Sequence, residues 1–222
     1  MKAAIVMGTV TLGLGGWEFT LYLLLFFISS NIIGAVLDAP DNPQELKLSE
    51  RRTDEQVWAN GFWFAFFLCL WFVTDLEIFA VASIAGVAAA TSDTWATLIG
   101  GYSNKKDVWL ISNFKKVPSG TDGGISINGT VSGLLGAIFI GLMTLFFSYS
   151  LPLVTAISIA VGGFVGCLSD SVFGSRYQFY KRKLNFFKFQ LKPENNLVNW
   201  MAGAVGVATC ILTYQLLSYA MV

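Results

Sequence analysis

Five stretches of this chain, 19–37, 56–74, 78–92, 123–169 and 195–222, contain no Asp, Glu, Lys or Arg. A bilayer core about 30 Å thick takes about 20 apolar residues of helix to cross, and charges within it are costly. The fourth run is too long for one helix and breaks at Ser148-Tyr149-Ser150-Leu151-Pro152. The runs predict helices over 19–37, 57–73, 77–92, 127–147, 152–170 and 198–221, with a shorter segment over 3–14. The expected fold is an all-α, polytopic transmembrane helix bundle forming one domain over 1–222. It has about seven spans, or six if the first segment, which is short for a bilayer, does not cross. No A-x-A-like cleavage site follows that segment, so it does not read as a signal peptide.

Composition excludes the other classes. Hydrophobic residues make up 55% and charged residues 13%, against about 25% charged in a soluble domain. A soluble enzyme could not hide that much apolar surface. A disordered chain, a nucleic-acid binder and a disulfide-stapled secreted domain are excluded with it. There is no His, so any chemistry must use carboxylates, amides, hydroxyls, Lys, Arg or a metal. Cys69, Cys167 and Cys210 are far apart in apolar runs with no CxxC, and read as packing residues.

With seven spans, the N-terminus and loops 38–56, 93–126 and 171–197 share one side. All 14 Lys and Arg fall there: Lys2; Lys47, Arg51 and Arg52; Lys105, Lys106, Lys115 and Lys116; Arg176, Lys181, Arg182, Lys183, Lys188 and Lys192. The positive-inside rule makes that side cytoplasmic and the topology N-in/C-out. The cluster Lys181-Arg182-Lys183 reads as a topology signal and a contact to anionic lipid. The Asn128-Gly129-Thr130 sequon is then expected to be unused. No plastid transit peptide is visible, and the short chain suits a prokaryotic plasma membrane.

Polar residues at the cytoplasmic ends of the spans are more informative, because such groups are costly there and mark function. Arg52, Gln56 and Asn60 fall at i, i+4 and i+8, on one helix face. Asp93 ends one span in Ser92-Asp93-Thr94, Asp170 ends another in Ser169-Asp170-Ser171, and Asn199 opens the last. Ser29, Ser30 and Asn31 lie at the same depth. A weak parallel repeat is visible: Asn60-Gly61 and Ser92-Asp93 bracket one helix pair, Asn128-Gly129 and Ser169-Asp170 the next. Between the pairs runs Lys115-Lys116-Val117-Pro118-Ser119-Gly120-Thr121-Asp122-Gly123-Gly124, with a helix expected from near Ser126. Glycines let backbone approach a ligand, and the free N–H groups of a helix start attract anions. The composition is that of a phosphate-binding loop without Walker A spacing. The spacings Gly129/Gly133 and Gly162/Gly166 read as close helix packing.

Taken in order, Gln56-Val57-Trp58-Ala59-Asn60-Gly61, Ser92-Asp93-Thr94-Trp95-Ala96-Thr97, Val117-Pro118-Ser119-Gly120-Thr121-Asp122-Gly123-Gly124-Ile125-Ser126, Asp170-Ser171-Val172-Phe173-Gly174 and Val198-Asn199 resemble one family. It is the integral membrane family that contains the phytyl-phosphate kinase of tocopherol synthesis. The resemblance covers roughly 17–210. It departs at Leu98 and Asn196, where the family carries acidic residues, and in lacking a Cys/His-containing insert before the last helix. It implies a kinase that turns an isoprenoid monophosphate, of phytyl or geranylgeranyl type, into the diphosphate with CTP or ATP as donor. On that reading Asp93 and Asp170 hold Mg²⁺ and, with Lys116, form the catalytic set. Lys115, Gly120, Thr121, Asp122, Gly123, Gly124 and Ser126 bind donor phosphates. Arg52, Gln56, Asn60 and Asn199 position the acceptor phosphate, with the prenyl chain between helices lined by Phe and Leu. The partners are then the lipid phosphate, the nucleotide and the bilayer, with no nucleic acid. The alternative is a small-molecule or lipid transporter with a cytoplasm-facing polar site.

Overall fold

The computed structural model describes residues 2–37, 53–103, 107–186, 189–191 and 194–221. Among them six helices are long and apolar enough to cross a membrane. They are α1 (Lys2–Leu37), α2 (Asp54–Thr74), α3 (Glu77–Ser103), α4 (Ile127–Met143, prolonged by a 3₁₀ turn Thr144–Phe146), α5 (Pro152–Phe173) and α6 (Asn195–Ala220). Their starts follow local chemistry. Thr53 and Gln56 form a capping box on α2, Ser126 caps α4 by accepting from Gly129 N, and Pro152 opens α5.

The helix α1 contains both of the first two expected segments. It is interrupted at Gly16, at φ 63° and ψ −159°, a backbone region open almost only to glycine. In a continuous helix Ala4 and Phe27 would be about 35 Å apart, yet both line one narrow cleft. The helix therefore folds back into two arms. Along the first, Ala3 N donates to Asp54 Oδ1 at 3.3 Å. Along the second, Phe19 packs on Trp71 at 4.8 Å and Ser29 Oγ accepts from Trp95 Nε1 at 3.2 Å. Among the described residues seven long helical segments thus come from six helices, and the first arm, about 20 Å long, falls short of bilayer thickness. Gly16→Ala is expected to cost about 1–3 kcal/mol, read as a lower melting temperature in detergent. An unchanged melting temperature would show that the backbone there relaxes to negative φ.

Two boundaries differ from expectation. The helix α3 runs past Ser92 to Ser103, so Asp93 lies within a helix rather than at its end. The helix α5 runs to Phe173 and continues as a π-helical turn, Gly174–Phe179. The loops 93–126 and 171–197 are therefore partly helical, and they also hold short strands. β1 (Val108–Leu110) pairs antiparallel with both β2 (Lys116–Val117) and β3 (Gly124–Ile125). β4 (Leu184–Phe186) pairs with β5 (Phe189–Leu191). Strands of two or three residues carry too little alternation to be read from sequence.

The helix α3 is the axis of the bundle. Val81, Ala82, Ile84, Ala85 and Ala88 are fully buried, and the other five long helices pack around it. Its small residues, and glycines on its neighbours, permit close approach, the main source of helix association in lipid. Added to Gly133, a Cβ would lie 3.2 Å from the Ser92 carbonyl oxygen; added to Gly162, 2.6 Å from that of Gly206. Both GxxxG pairs are packing surfaces, as expected. At the bundle end away from Asp93, Glu77 ties α3 to α6 and to the α4–α5 connection. Its carboxylate accepts from Tyr214 Oη (2.7 Å), Ser150 Oγ (2.7 Å) and Ser150 N (2.9 Å).

Candidate functional site

The site grows out of one face of α3. Asp93, Ala96/Thr97 and Gly100/Gly101 recur at helical spacing, and all line a cavity of about 650 Å³. That volume lies within the range of small-molecule sites, about 300–1,000 Å³. Asp170, near the end of α5, reaches the same cavity. Asp93 and Asp170 also line a smaller adjoining cavity together with Asn60, Trp63 and Asn199. The two carboxylates thus stand where the two cavities meet. Asp93 is held by the α3–α4 contact beside it, where Ser92 Oγ donates to the Gly133 carbonyl at 2.7 Å.

Asp170 is oriented from α6. In the amide orientation that satisfies the network, Asn199 Nδ2 donates to Asp170 Oδ1 at 2.8 Å and to the Asn195 carbonyl at 3.1 Å. The other end of the Asn199 amide faces Asn60 at 3.3 Å. The row Asn60–Asn199–Asp170 therefore joins α2, α6 and α5. A charge-assisted hydrogen bond of this kind is among the stronger polar contacts.

Another part of the cavity wall is the glycine loop. Ser119, Gly120, Thr121, Asp122, Gly123, Gly124 and the N-cap Ser126 all line the 650 Å³ cavity. The loop is shaped by Thr121, which donates to the Pro118 carbonyl through Oγ1 (2.6 Å) and N (3.3 Å), and by Gly124 N donating to the Thr121 carbonyl (2.8 Å). Gly123, at φ 75°, sits against the π turn, where Ser175 Oγ donates to Ser112 Oγ at 2.7 Å. The first turn of α4 opens here, so a helix N-terminus and a glycine-rich loop share the cavity with two carboxylates. That combination suits a polyanion together with a cation.

Several expected site residues lie elsewhere. Lys115 and Lys116 do not line the cavity. The β1–β2 pairing turns Lys116 outward, where Nζ binds Asp107 Oδ1 at 2.9 Å and lies 5.9 Å from the Trp109 ring. Gln56 caps α2, its Oε1 accepting from Thr53 N at 3.0 Å. Arg52 lies outside the described residues. Asn128, the repeat's counterpart of Asn60, is exposed. Asn31 Nδ2 donates to the Phe27 carbonyl at 2.7 Å. Leu98 is buried off the cavity face of α3, so an acidic residue there would not point into the site. Thr97 and Ser171, both within the quoted motifs, line the cavity too, as do Gln178 and Asn195. Gln178 and Asn195 carry no such signal in the sequence.

The donor set can be tested against a metal. Among the described residues no three His, Cys, Asp or Glu side chains are grouped closely enough to cage an ion. Mg²⁺ does not require a cage: it is held by one or two carboxylates, waters and substrate phosphate oxygens. Asp93 and Asp170 beside a loop suited to phosphate fit that pattern.

Comparison with known proteins bears on the whole chain. The family model described as integral membrane protein DUF92 matches residues 1–215. An uncharacterised membrane protein of Methanocaldococcus jannaschii is 34% identical over 212 residues, covering 94% of this chain and 82% of that protein. An uncharacterised membrane protein of Synechocystis is 25% identical over 184 residues, 78% of this chain and 68% of its own length. The chloroplast protein VTE6 of Arabidopsis thaliana is 27% identical over 129 residues, 58% of this chain and 37% of its own. No solved structure matches. A helical bundle with membrane-spanning helices, matched along nearly its full length, places this chain in the DUF92 family of integral membrane proteins, the family its ordered motifs resemble.

Proposed function

We propose that this protein transfers a phosphoryl group from a nucleoside triphosphate, CTP or ATP, to an isoprenoid monophosphate of phytyl or geranylgeranyl type, giving the diphosphate. One observation carries the reading. Asp93 and Asp170, from different helices, converge with the glycine loop 119–124 and the start of α4 on one cavity at an end of a membrane bundle. The family resemblance supplies the acceptor class. Phosphoryl transfer depends on positioning and charge neutralisation more than on covalent help from the protein. A phosphate monoester has a second pKa near 6, so at neutral pH the acceptor oxygen is already anionic and no His is needed.

The donor phosphates lie along Gly120–Gly124 and the first turn of α4. Asn60 and Asn199 orient the acceptor phosphate at the junction of the two cavities. Mg²⁺ held by Asp93 and Asp170 would supply neutralisation of charge on the phosphate oxygens. The one-sided placement of Lys and Arg turns the site to the cytoplasm, where nucleotides are. The polar lining gathers at one end of the bundle, whereas a transporter carries its site near the midplane.

The test uses purified protein in nanodiscs with Mg²⁺, labelled CTP or ATP, and geranylgeranyl or phytyl phosphate. Magnesium-dependent formation of the diphosphate is expected. Folded protein that makes none with any pairing overturns the proposal. Lys116→Ala is expected to leave turnover within about twofold, because an exposed ion pair contributes little. A hundredfold loss would return Lys116 to the reaction.

A further inference from the structure

We infer that the narrow apolar cleft between the two arms of α1, α2 and α3 holds the isoprene units nearest the phosphate of the lipid acceptor. The identity of the head group rests on the kinase reading above; the cleft stands on its own geometry. Asn60 and Ala90 line both this cleft and the small cavity that holds Asp93, Asp170 and Asn199. The two spaces are therefore neighbours, with Asn60 and Ala90 as their common wall. The lining changes abruptly across that wall. On the Asp93 side it is carboxylate and amide; beyond Asn60 it is hydrocarbon, with Phe64, Val87, Met7 and Phe26 buried around it. An anionic head and an apolar tail joined end to end match that sequence of surfaces.

The cleft is nearly closed as folded, about 20 Å³, and one flexible side chain closes it. Apolar side chains in a bilayer gain nothing by leaving a gap between helices, since an unfilled gap forfeits dispersion contacts. Here the space over Gly61 is taken by the Met7 thioether: a Cβ on Gly61 would lie 2.6 Å from Met7 Cε. Met is the most adaptable of the core side chains, so its rotation widens the cleft without moving a helix. Ala4, at the rim, is exposed. The remainder of a long tail can leave past it into the bilayer. The cleft thus reads the first methyl-branched units rather than total length. Its occupant is a branched isoprenoid phosphate rather than a straight-chain bilayer lipid.

The probe is a prenyl monophosphate bearing a diazirine in its second isoprene unit, applied to the whole protein in phosphatidylcholine nanodiscs. Labelled peptides are mapped by mass spectrometry. Crosslinks within 2–37 and 54–64 that excess geranylgeranyl phosphate competes away are expected. Ala4→Trp, a change at an exposed position, is expected to cut that labelling by about tenfold or more, the scale on which a pocket responds to a methylene, with an unchanged melting temperature. Crosslinks confined to other helices, or labelling within 2–37 and 54–64 that competitor leaves in place, overturn the inference. So does equal labelling by a straight-chain diazirine lipid. Turnover measured in the same nanodiscs separates the two proposals. Product with crosslinks elsewhere refutes the cleft alone. Competed crosslinks in the cleft without product for any nucleotide support it and refute the kinase reading.

Discussion

Asp93→Asn and Asp170→Asn are each expected to lower phosphoryl transfer by about a thousandfold, the scale of losing one preorganised electrostatic contact in a transition state. Both carboxylates line the cavity, and Asn cannot replace their charge on a shared cation. Stability should respond in the opposite sense. Asp93, Asp122 and Asp170 line one cavity, and like charges brought together destabilise a fold. Removing the Asp93 charge should leave the melting temperature unchanged or raised, whereas Asp170→Asn also weakens the bond from Asn199. A purely structural pair would show the reverse pattern, a lower melting temperature with activity falling only in step. Either variant retaining a tenth of wild-type turnover would remove that carboxylate from the reaction.

The second large effect is expected at Gly123. Its φ of 75° lies in the left-handed region, and an added Cβ would fall 2.3 Å from Ser175 N and 2.5 Å from Ser175 Cα. The conformation costs an L-residue about 1–2 kcal/mol, and the collision with backbone adds about 1–3 kcal/mol. Neither atom is the tip of a flexible side chain, so relief requires the loop to leave the π turn. That turn continues α5 directly beyond Asp170, so loop and carboxylate should be disturbed together. Gly123→Ala is expected to lower the melting temperature and weaken nucleotide binding by about a hundredfold. Gly120 is the internal comparison. Its φ is 81°, but nothing lies within 4 Å of an added Cβ. Gly120→Ala should therefore show the backbone cost alone, about 1–2 kcal/mol. Equal effects at the two positions would refute the packing argument.

Much of this molecule was legible in one dimension. Runs without charge marked the helices, because a bilayer core excludes charge from each segment independently of its neighbours. The two Ser-Asp elements were recognisable because an acid at the end of an apolar span is costly wherever the helix docks. The helix expected from near Ser126 does start there, with Ser126 as its N-cap. Gln56 shows a signal that was present and misassigned: Thr53-x-x-Gln56 is a capping box pattern, and the amide is used there. The extension of α3 to Ser103 left no hydropathy signal, since a helix beyond the bilayer need not be apolar.

Lys116 and Asn60 mark where local reading stops. Lys116 follows the basic, glycine-rich pattern of a phosphate loop, but its direction is set by the strand it pairs with, and β1 sends it to Asp107. Asn60 has an apparent repeat partner in Asn128, yet it meets Asn199 instead. Gln178 and Asn195 reach the cavity from segments with no spacing relation to Asp93. Hydropathy, charge and capping belong to a residue and its near neighbours, so they survive any arrangement of the helices. The partner of an amide, the direction of a lysine and the fold-back at Gly16 depend on what lies across the bundle, and packing of segments distant in the chain settles them.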